Sequence, residues 1–311
     1  MSPVRTLKTD ILSVGSGAAG MAAAAAASSL GASVTVTDDR ETPGGVLSQC
    51  VHSGFGLGRY GQEMTGPEYA DEEFRRFDES TAIYMRDCRV LSLSPDKTAL
   101  VSSPDGLSSI SFDECILATG CMERSLWSLP VSGTRPEGIY TAGEAQEMIE
   151  LGGYDTGSRI FILGSGDIGQ IMARRFVQLG KTVICMAEQN DHIGGMKRNQ
   201  EDCIRADDLP VMLNSTVTEV HGFPHIIGVT LHHIDSGIDE LIGCDTLITA
   251  LGLEPDRSLA ERLETADGYP QWLHFCGNAD FVHEIADSAS AQGEKLGITV
   301  AGRILSKRKE V

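Results

Sequence analysis

Gly15-Ser16-Gly17-Ala18-Ala19-Gly20 follows the apolar run Ile11 to Val14 and opens the small-residue stretch Met21 to Leu30. Gly164-Ser165-Gly166-Asp167-Ile168-Gly169 stands in the same setting, directly after Ile160 to Leu163. In this form of motif the first glycine makes a tight turn. The second lets backbone approach a pyrophosphate, and the third permits close helix–strand contact. Amide N–H groups at the helix start then face the phosphates, helped by the helix dipole. About twenty residues further on, an acid is required at the end of the second strand, where it accepts ribose hydroxyls. Asp38, with Asp39 beside it, and Glu188 occupy those places. One such fingerprint is weak evidence. Two in register predict two dinucleotide sites, and so electron traffic between two nucleotides.

Working outward, residues 10–14, 18–30 and 33–37 read as strand, helix and strand. Residues 67–78 read as a helix. Residues 81–117 hold short β-type runs broken by Ser94-Pro95-Asp96 and Ser103-Pro104-Asp105-Gly106, a β-meander pattern. Residues 159–163, 167–179 and 182–187 repeat the strand–helix–strand opening, with strands near 211–213, 226–235 and 244–249. Ala118-Thr119-Gly120 and Ala250-Leu251-Gly252 end an apolar strand in each half. A strand from Trp272 to Cys276, then Gly277-Asn278, then a helix from about Ser288, return the chain to the first half. The expected fold is α/β: two Rossmann-like domains of three layers (ββα), the second inserted into the first. The expected boundaries are 1–122, 123–245 and 246–311.

The 311 residues suffice for two domains with their own cores. The net charge of −19 disfavours nucleic acid, which is bound by neutralising phosphates with Lys and Arg. Met1 to Asp10 holds no apolar signal core, and Met21 to Leu30 is too short to span a bilayer, so a cytoplasmic protein without a membrane span is expected. The alanines of that run suit a helix packed tightly on its sheet. None of the eight cysteines forms a C-x-x-C pair, so neither a zinc site nor a paired redox disulfide is expected. His232 and His233 are adjacent on an expected strand and face opposite sides, which does not suit a shared metal.

Gly44-Gly45 after the first acid, the Ala-Thr-Gly turn and the late Gly-Asn make the order of elements resemble the pyridine nucleotide–disulfide oxidoreductase superfamily over nearly the whole chain. The segment Gly44-Gly45-Val46-Leu47-Ser48-Gln49-Cys50-Val51-His52-Ser53-Gly54-Phe55-Gly56-Leu57 narrows the resemblance, together with Thr65-Gly66-Pro67-Glu68-Tyr69-Ala70. So do Gly133-Thr134-Arg135-Pro136 and Gly138-Ile139-Tyr140-Thr141-Ala142-Gly143. These are similar to the short FAD/NAD oxidoreductase partners of anaerobic glycerol-3-phosphate dehydrogenase-like proteins. More distantly, they resemble the flavin subunits of hydrogen cyanide synthase and opine oxidases.

The resemblance implies FAD at Gly15, Gly17, Ala18, Ala19, Gly20, Asp38, Asp39, Gly44, Gly45, Val46, Val90, Ala118, Thr119, Gly120, Gly277, Asn278 and Ser288. Asn278 stands where the superfamily has Asp. A nicotinamide nucleotide is expected at Gly164, Ser165, Gly166, Asp167, Ile168, Gly169, Glu188 and Gly252. Glu188 favours NAD(H) over NADP(H), and the nearby basic residues Lys197 and Arg198, about ten residues beyond the acid, are expected on a loop. Cys50 is either a single redox thiol or a packing residue, and His52 either a proton donor or a structural histidine. His274 and His283 flank the Gly-Asn turn; His283, Glu284 and Asp287 either approach the flavin edge or cap a helix.

The expected activity is NADH oxidation through FAD to an unidentified acceptor or partner subunit. The alternatives are a non-catalytic flavin-binding subunit of a larger dehydrogenase complex and a Cys50-dependent NADH oxidase or peroxidase. The short stretch Glu254 to Leu273, with no separate dimerisation domain after it, either thins the flavin domain or exposes an edge that a partner dehydrogenase subunit covers. Homodimerisation is left open.

Overall fold

The computed structural model describes residues 5–309, so the first four residues of the Met1 to Asp10 segment lie outside it. The chain divides into two compact units, Met1–Met122 with Glu254–Val311, and Glu123–Leu253.

The first unit is built on parallel strands Val34–Thr37, Arg5–Val14 and Gly106–Leu117, flanked by Ile83–Met85. The register sets Ile11 opposite Val34 and Leu12 opposite Cys115. All four residues of Val34–Thr37 are buried, as expected of a strand covered on both faces. Gly106–Leu117 is long enough to pair also with the meander strands Thr98–Ser103 and Arg89–Ser94. Leu273–Phe275 joins the same sheet beside Cys115–Leu117, which returns the tail to the first unit. One face of the sheet is covered by helices Ala18–Ser29 and Ala286–Lys309. A Cβ at Gly293 would lie 2.2 Å from Ala19 O, and one at Gly297 2.2 Å from Ala23 O. The alanine run therefore serves a second purpose besides packing on the sheet: it lets the last helix approach to backbone contact. Residues of the short 254–273 stretch, Ala260 and Leu263, are buried in the cluster on the other face.

The second unit has a parallel sheet in the order Ile139–Thr141, Thr246–Thr249, Arg159–Leu163, Thr182–Ala187, Val211–Met212. Helices Ala142–Glu150 and Asp167–Gln178 pack on one face. An antiparallel ribbon, Ser215–His221, Gly228–His233 and Ile238–Ile242, packs on the other. Both units thus have the three-layer architecture expected. The expected boundary at 245/246 falls inside the second unit, because Thr246–Thr249 pairs on both sides with strands of that unit, Ile139–Thr141 and Arg159–Leu163. The return to the first unit is at 253/254.

Candidate functional site

The glycine turn of the first unit is fixed by contacts that no side chain would permit. Gly15 has φ +101°, and a Cβ on it would lie 2.4 Å from Ala118 O. A Cβ on Gly20 would lie 2.0 Å from Gly15 O and 3.1 Å from the Ala118 methyl. The Ala-Thr-Gly turn and the glycine motif are therefore one packed unit. Gly17 is different: a Cβ there would meet nothing within 4 Å. It is the N-cap of helix Ala18–Ser29, whose first amides receive no side-chain cap and whose first turn holds no acid. Open space above uncapped helix amides is what a phosphate needs. Gly45 borders that space, its Cβ position 3.4 Å from Gly17 Cα, and Gly44 N donates to Ser16 O at 2.9 Å.

The second unit repeats this geometry. Gly164 has φ +104° and its Cβ position lies 2.2 Å from Ala250 O. The Cβ position of Gly169 lies 3.0 Å from the Ala250 methyl. Gly166 is again the N-cap with nothing within 4 Å. A glycine pair six residues after the acid also recurs: Gly194-Gly195 after Glu188, as Gly44-Gly45 after Asp38. Gly194 N donates to Ser165 Oγ at 2.8 Å. The equal spacing from acid to glycine pair is the sequence signal for this second pair.

The two acids hold the turns. Asp38 Oδ2 accepts Ser16 N at 2.6 Å and Ser16 Oγ at 2.7 Å, and its Oδ1 accepts Arg40 N at 2.9 Å. Glu188 Oε2 accepts Ser165 N and Oγ at 3.0 and 2.6 Å, and Oε1 accepts Asn190 N and Nδ2 at 3.0 and 2.7 Å. A carboxylate has about four acceptor positions. Asp38 accepts three such bonds and Glu188 four, so Glu188 is the more fully engaged of the two in bracing its turn. Its charge remains. Burial works to raise the Glu188 pKa, but the hydrogen bonds from Ser165 and Asn190 outweigh it and hold the carboxyl below its usual range.

Other expected residues separate clearly. Asp39 is exposed beside Arg89, 3.8 Å away. The Val90 side chain packs in one apolar cluster with Leu12, Val14 and Cys88. Val46, next to Gly45, is exposed. Gly277 has φ +60° and donates to Gln292 Oε1 at 2.7 Å. Asn278 Oδ1 accepts His283 N at 2.9 Å, and its Nδ2 lies 3.5 Å from Cys121 Sγ. The His283 ring reaches Ser288 Oγ at 3.1 Å and Gln292 Oε1 at 3.0 Å. Asp287 accepts Gly56 N, Gly58 N and Arg59 N at 3.0, 2.7 and 3.2 Å. His283 thus ties Asn278 to helix Ala286–Lys309, and Asp287 holds the turn at Gly56 to Arg59. His274 pairs instead with the buried Glu114 at 2.8 Å.

The eight cysteines remain thiols, with no disulfide among them. Cys50 is buried, donates to Val46 O at 3.3 Å, and burial pushes its pKa up to about 12. The reactive species of a redox cysteine is the thiolate, so this environment opposes the redox reading. The His52 ring, partly exposed, lies 3.0 Å from Ser53 O and stacks near Phe55 at 5.2 Å. His232 pairs with Asp239 and His233 with Glu240, on opposite faces of their strand. Among the described residues no group of three His, Cys, Asp or Glu is placed to hold a metal. Among the same residues no helix is long and apolar enough to cross a membrane.

The family model for pyridine nucleotide-disulphide oxidoreductases matches residues 9–276. The chain belongs to that family. The match places it among flavin-dependent oxidoreductases. It is 31% identical over 181 residues to the opine oxidase A subunit of Agrobacterium tumefaciens (strain Ach5), covering 55% of this chain and 35% of that protein. It is 27% identical over 193 residues to the sarcosine oxidase alpha subunit of Corynebacterium sp. (strain U-96), covering 58% and 20%. The chain thus spans about a third or less of these relatives. The fold is similar to that of a T. acidophilum thioredoxin reductase, with TM-score 0.76, 20% identity, and coverage of 96% of this chain and 99% of that one. L-proline dehydrogenase from P. horikoshii is also similar, with TM-score 0.67, 15% identity, and coverage of 98% and 57%.

Proposed function

We propose that the protein is an FAD-dependent NADH oxidoreductase, with FAD in the first unit and NADH in the second. The observation that carries this reading is the duplicated cradle: Gly17 and Gly166 each leave open space above an uncapped helix N-terminus, beside an acid-braced turn. In the first unit Gly15, Gly17, Ala18, Gly44 and Gly45 would hold the FAD diphosphate, and Asp38 would use its remaining acceptor position on the ribose. Ala118 to Gly120 and Gly277-Asn278 would line the rest of the site. When bound, the flavin accepts a hydride from reduced nicotinamide and returns the electrons to an acceptor. The side chains bind and orient; none is required as acid or base. The Glu188 charge, close to the adenosine ribose, repels a 2′-phosphate and favours NADH over NADPH.

The acceptor is proposed to be a partner subunit. Two of the relatives are named as subunits, one of opine oxidase and one of sarcosine oxidase, and both are longer than this chain. A non-catalytic flavin subunit is the second reading, favoured by Asn278 in place of Asp. Separate calorimetric titrations with FAD and NADH test the assignment of sites. Gly17→Val should abolish FAD uptake and spare NADH, and Gly166→Val should do the reverse. Loss of both ligands in either variant, or of neither, contradicts the assignment.

A further inference from the structure

The segment after Glu188 does not run away from the second glycine turn; it folds back onto it. Gly194 N donates to Ser165 Oγ, and Gly194 O accepts Gln170 Nε2, both at 2.8 Å. Gln200 Nε2 donates to Gly194 O at 3.0 Å and to Ile193 O at 3.2 Å. Gly195 has φ +70°, with its Cβ position 2.7 Å from Asp167 Oδ1. Two further anchors end on that same oxygen: Met196 N and Asn199 Nδ2, each at 2.7 Å. Asp167 is the first residue of helix Asp167–Gln178. The residues between the two anchors are Lys197 and Arg198, both exposed. Arg198 also lies 3.5 Å from Asp202. The two cations, expected on a loop, stand in the short helix Lys197–Asn199 that the clasp holds.

We infer that Lys197 and Arg198 bind the diphosphate of the dinucleotide in the second unit, with Asp167 as the positioning residue that brings them there. This rests on the proposed NADH site. The first unit supplies the contrast. The residue matching Asp167 is Ala18, and the residues matching Lys197 and Arg198 are the neutral Leu47 and Ser48. In the second unit a carboxylate stands beside the amides where a diphosphate would bind. Unaided, it would oppose the anion. Tethered through the same carboxylate, two cations offset its charge in a chain that is otherwise strongly acidic, at −19. Both NADH and NADPH carry the diphosphate, so the pair acts on affinity for either and leaves the choice between them to Glu188.

The experiment is calorimetric titration of the purified protein with NADH and with NADPH over a range of salt. Replacing both cations (Lys197→Ala with Arg198→Ala) should weaken NADH and NADPH by a common factor, about tenfold or more, and lower the salt dependence. Asp167→Ala should weaken NADH too, although it removes a negative charge from the site. Unchanged NADH affinity in the double variant overturns the inference while leaving the NADH site in place. So does a loss confined to NADPH, or tighter NADH binding in Asp167→Ala. A wild-type protein that binds no NADH overturns the site assignment, and the inference with it.

Discussion

Ser165 gives both its backbone N–H and its hydroxyl to one oxygen of Glu188, at 3.0 and 2.6 Å. Ser16 makes the same pair of bonds to Asp38 in the first unit. The acid at the end of the second strand therefore braces the glycine turn before any ribose arrives. Replacing Glu188 by Gln puts an amide where four donors converge. It should destabilise the second unit by about 1–3 kcal/mol, measured by denaturant unfolding. The pH dependence follows from a carboxyl held below its usual range. Such a group stabilises the fold above its unfolded pKa of about 4.3 and loses that contribution as pH falls through the folded value. Glu188→Gln should flatten the fall in stability below that pH. An unaltered acid limb would show that the brace contributes nothing.

Gly15 and Gly17 lie two residues apart in sequence and should respond oppositely to alanine. Gly15→Ala meets Ala118 O at 2.4 Å with φ +101°, so the fold itself should lose about 2 kcal/mol or more. Gly17→Ala meets nothing within 4 Å. Its melting temperature without ligand should be unchanged while flavin content falls. Melting curves and released-flavin absorbance of the two variants check this.

The thiol of Cys50, with its pKa pushed up to about 12, should resist alkylation at neutral pH. Mass spectrometry of the native protein after iodoacetamide should leave the peptide containing it unmodified. Cys50→Ser should keep NADH oxidation within about twofold of wild type. A large loss of peroxide turnover in that variant would restore the oxidase or peroxidase alternative.

Glu73 is buried with its carboxylate on the Arg59 guanidinium, which also reaches Glu294 at 2.9 Å. Truncating one partner leaves an uncompensated buried charge, at a cost of about 3–5 kcal/mol. Glu73→Ala should therefore destabilise the first unit strongly. A change below about 1 kcal/mol in denaturant unfolding would mean that Glu294 alone satisfies the arginine.

The parts of the fold that were legible in the sequence are those whose cause is local. The glycine turns, their acids and the buried strands Ile160 to Leu163 and Thr246–Thr249 show their environment in their composition. The ribbon strands Ser215–His221 and Ile238–Ile242 were not expected. Ile238–Ile242 buries only Ile242, and it is a strand because it pairs with Gly228–His233. Helix Ala142–Glu150 is signalled in the sequence by Thr141 and Glu144, whose capping box marks its start. At the sites, residue identity showed where carboxylates stand but not how many donors each accepts. The four bonds to Glu188 from Ser165 and Asn190, and the return of Met196 and Asn199 to Asp167, arise from loop folding that spacing alone does not reveal.

The most direct test is an anaerobic absorbance titration of the FAD-loaded protein with NADH and, separately, with NADPH. Stoichiometric bleaching of the flavin band by NADH, with NADPH markedly slower, is the predicted result. A flavin that stays oxidised in excess NADH would contradict the account and favour a non-catalytic flavin subunit.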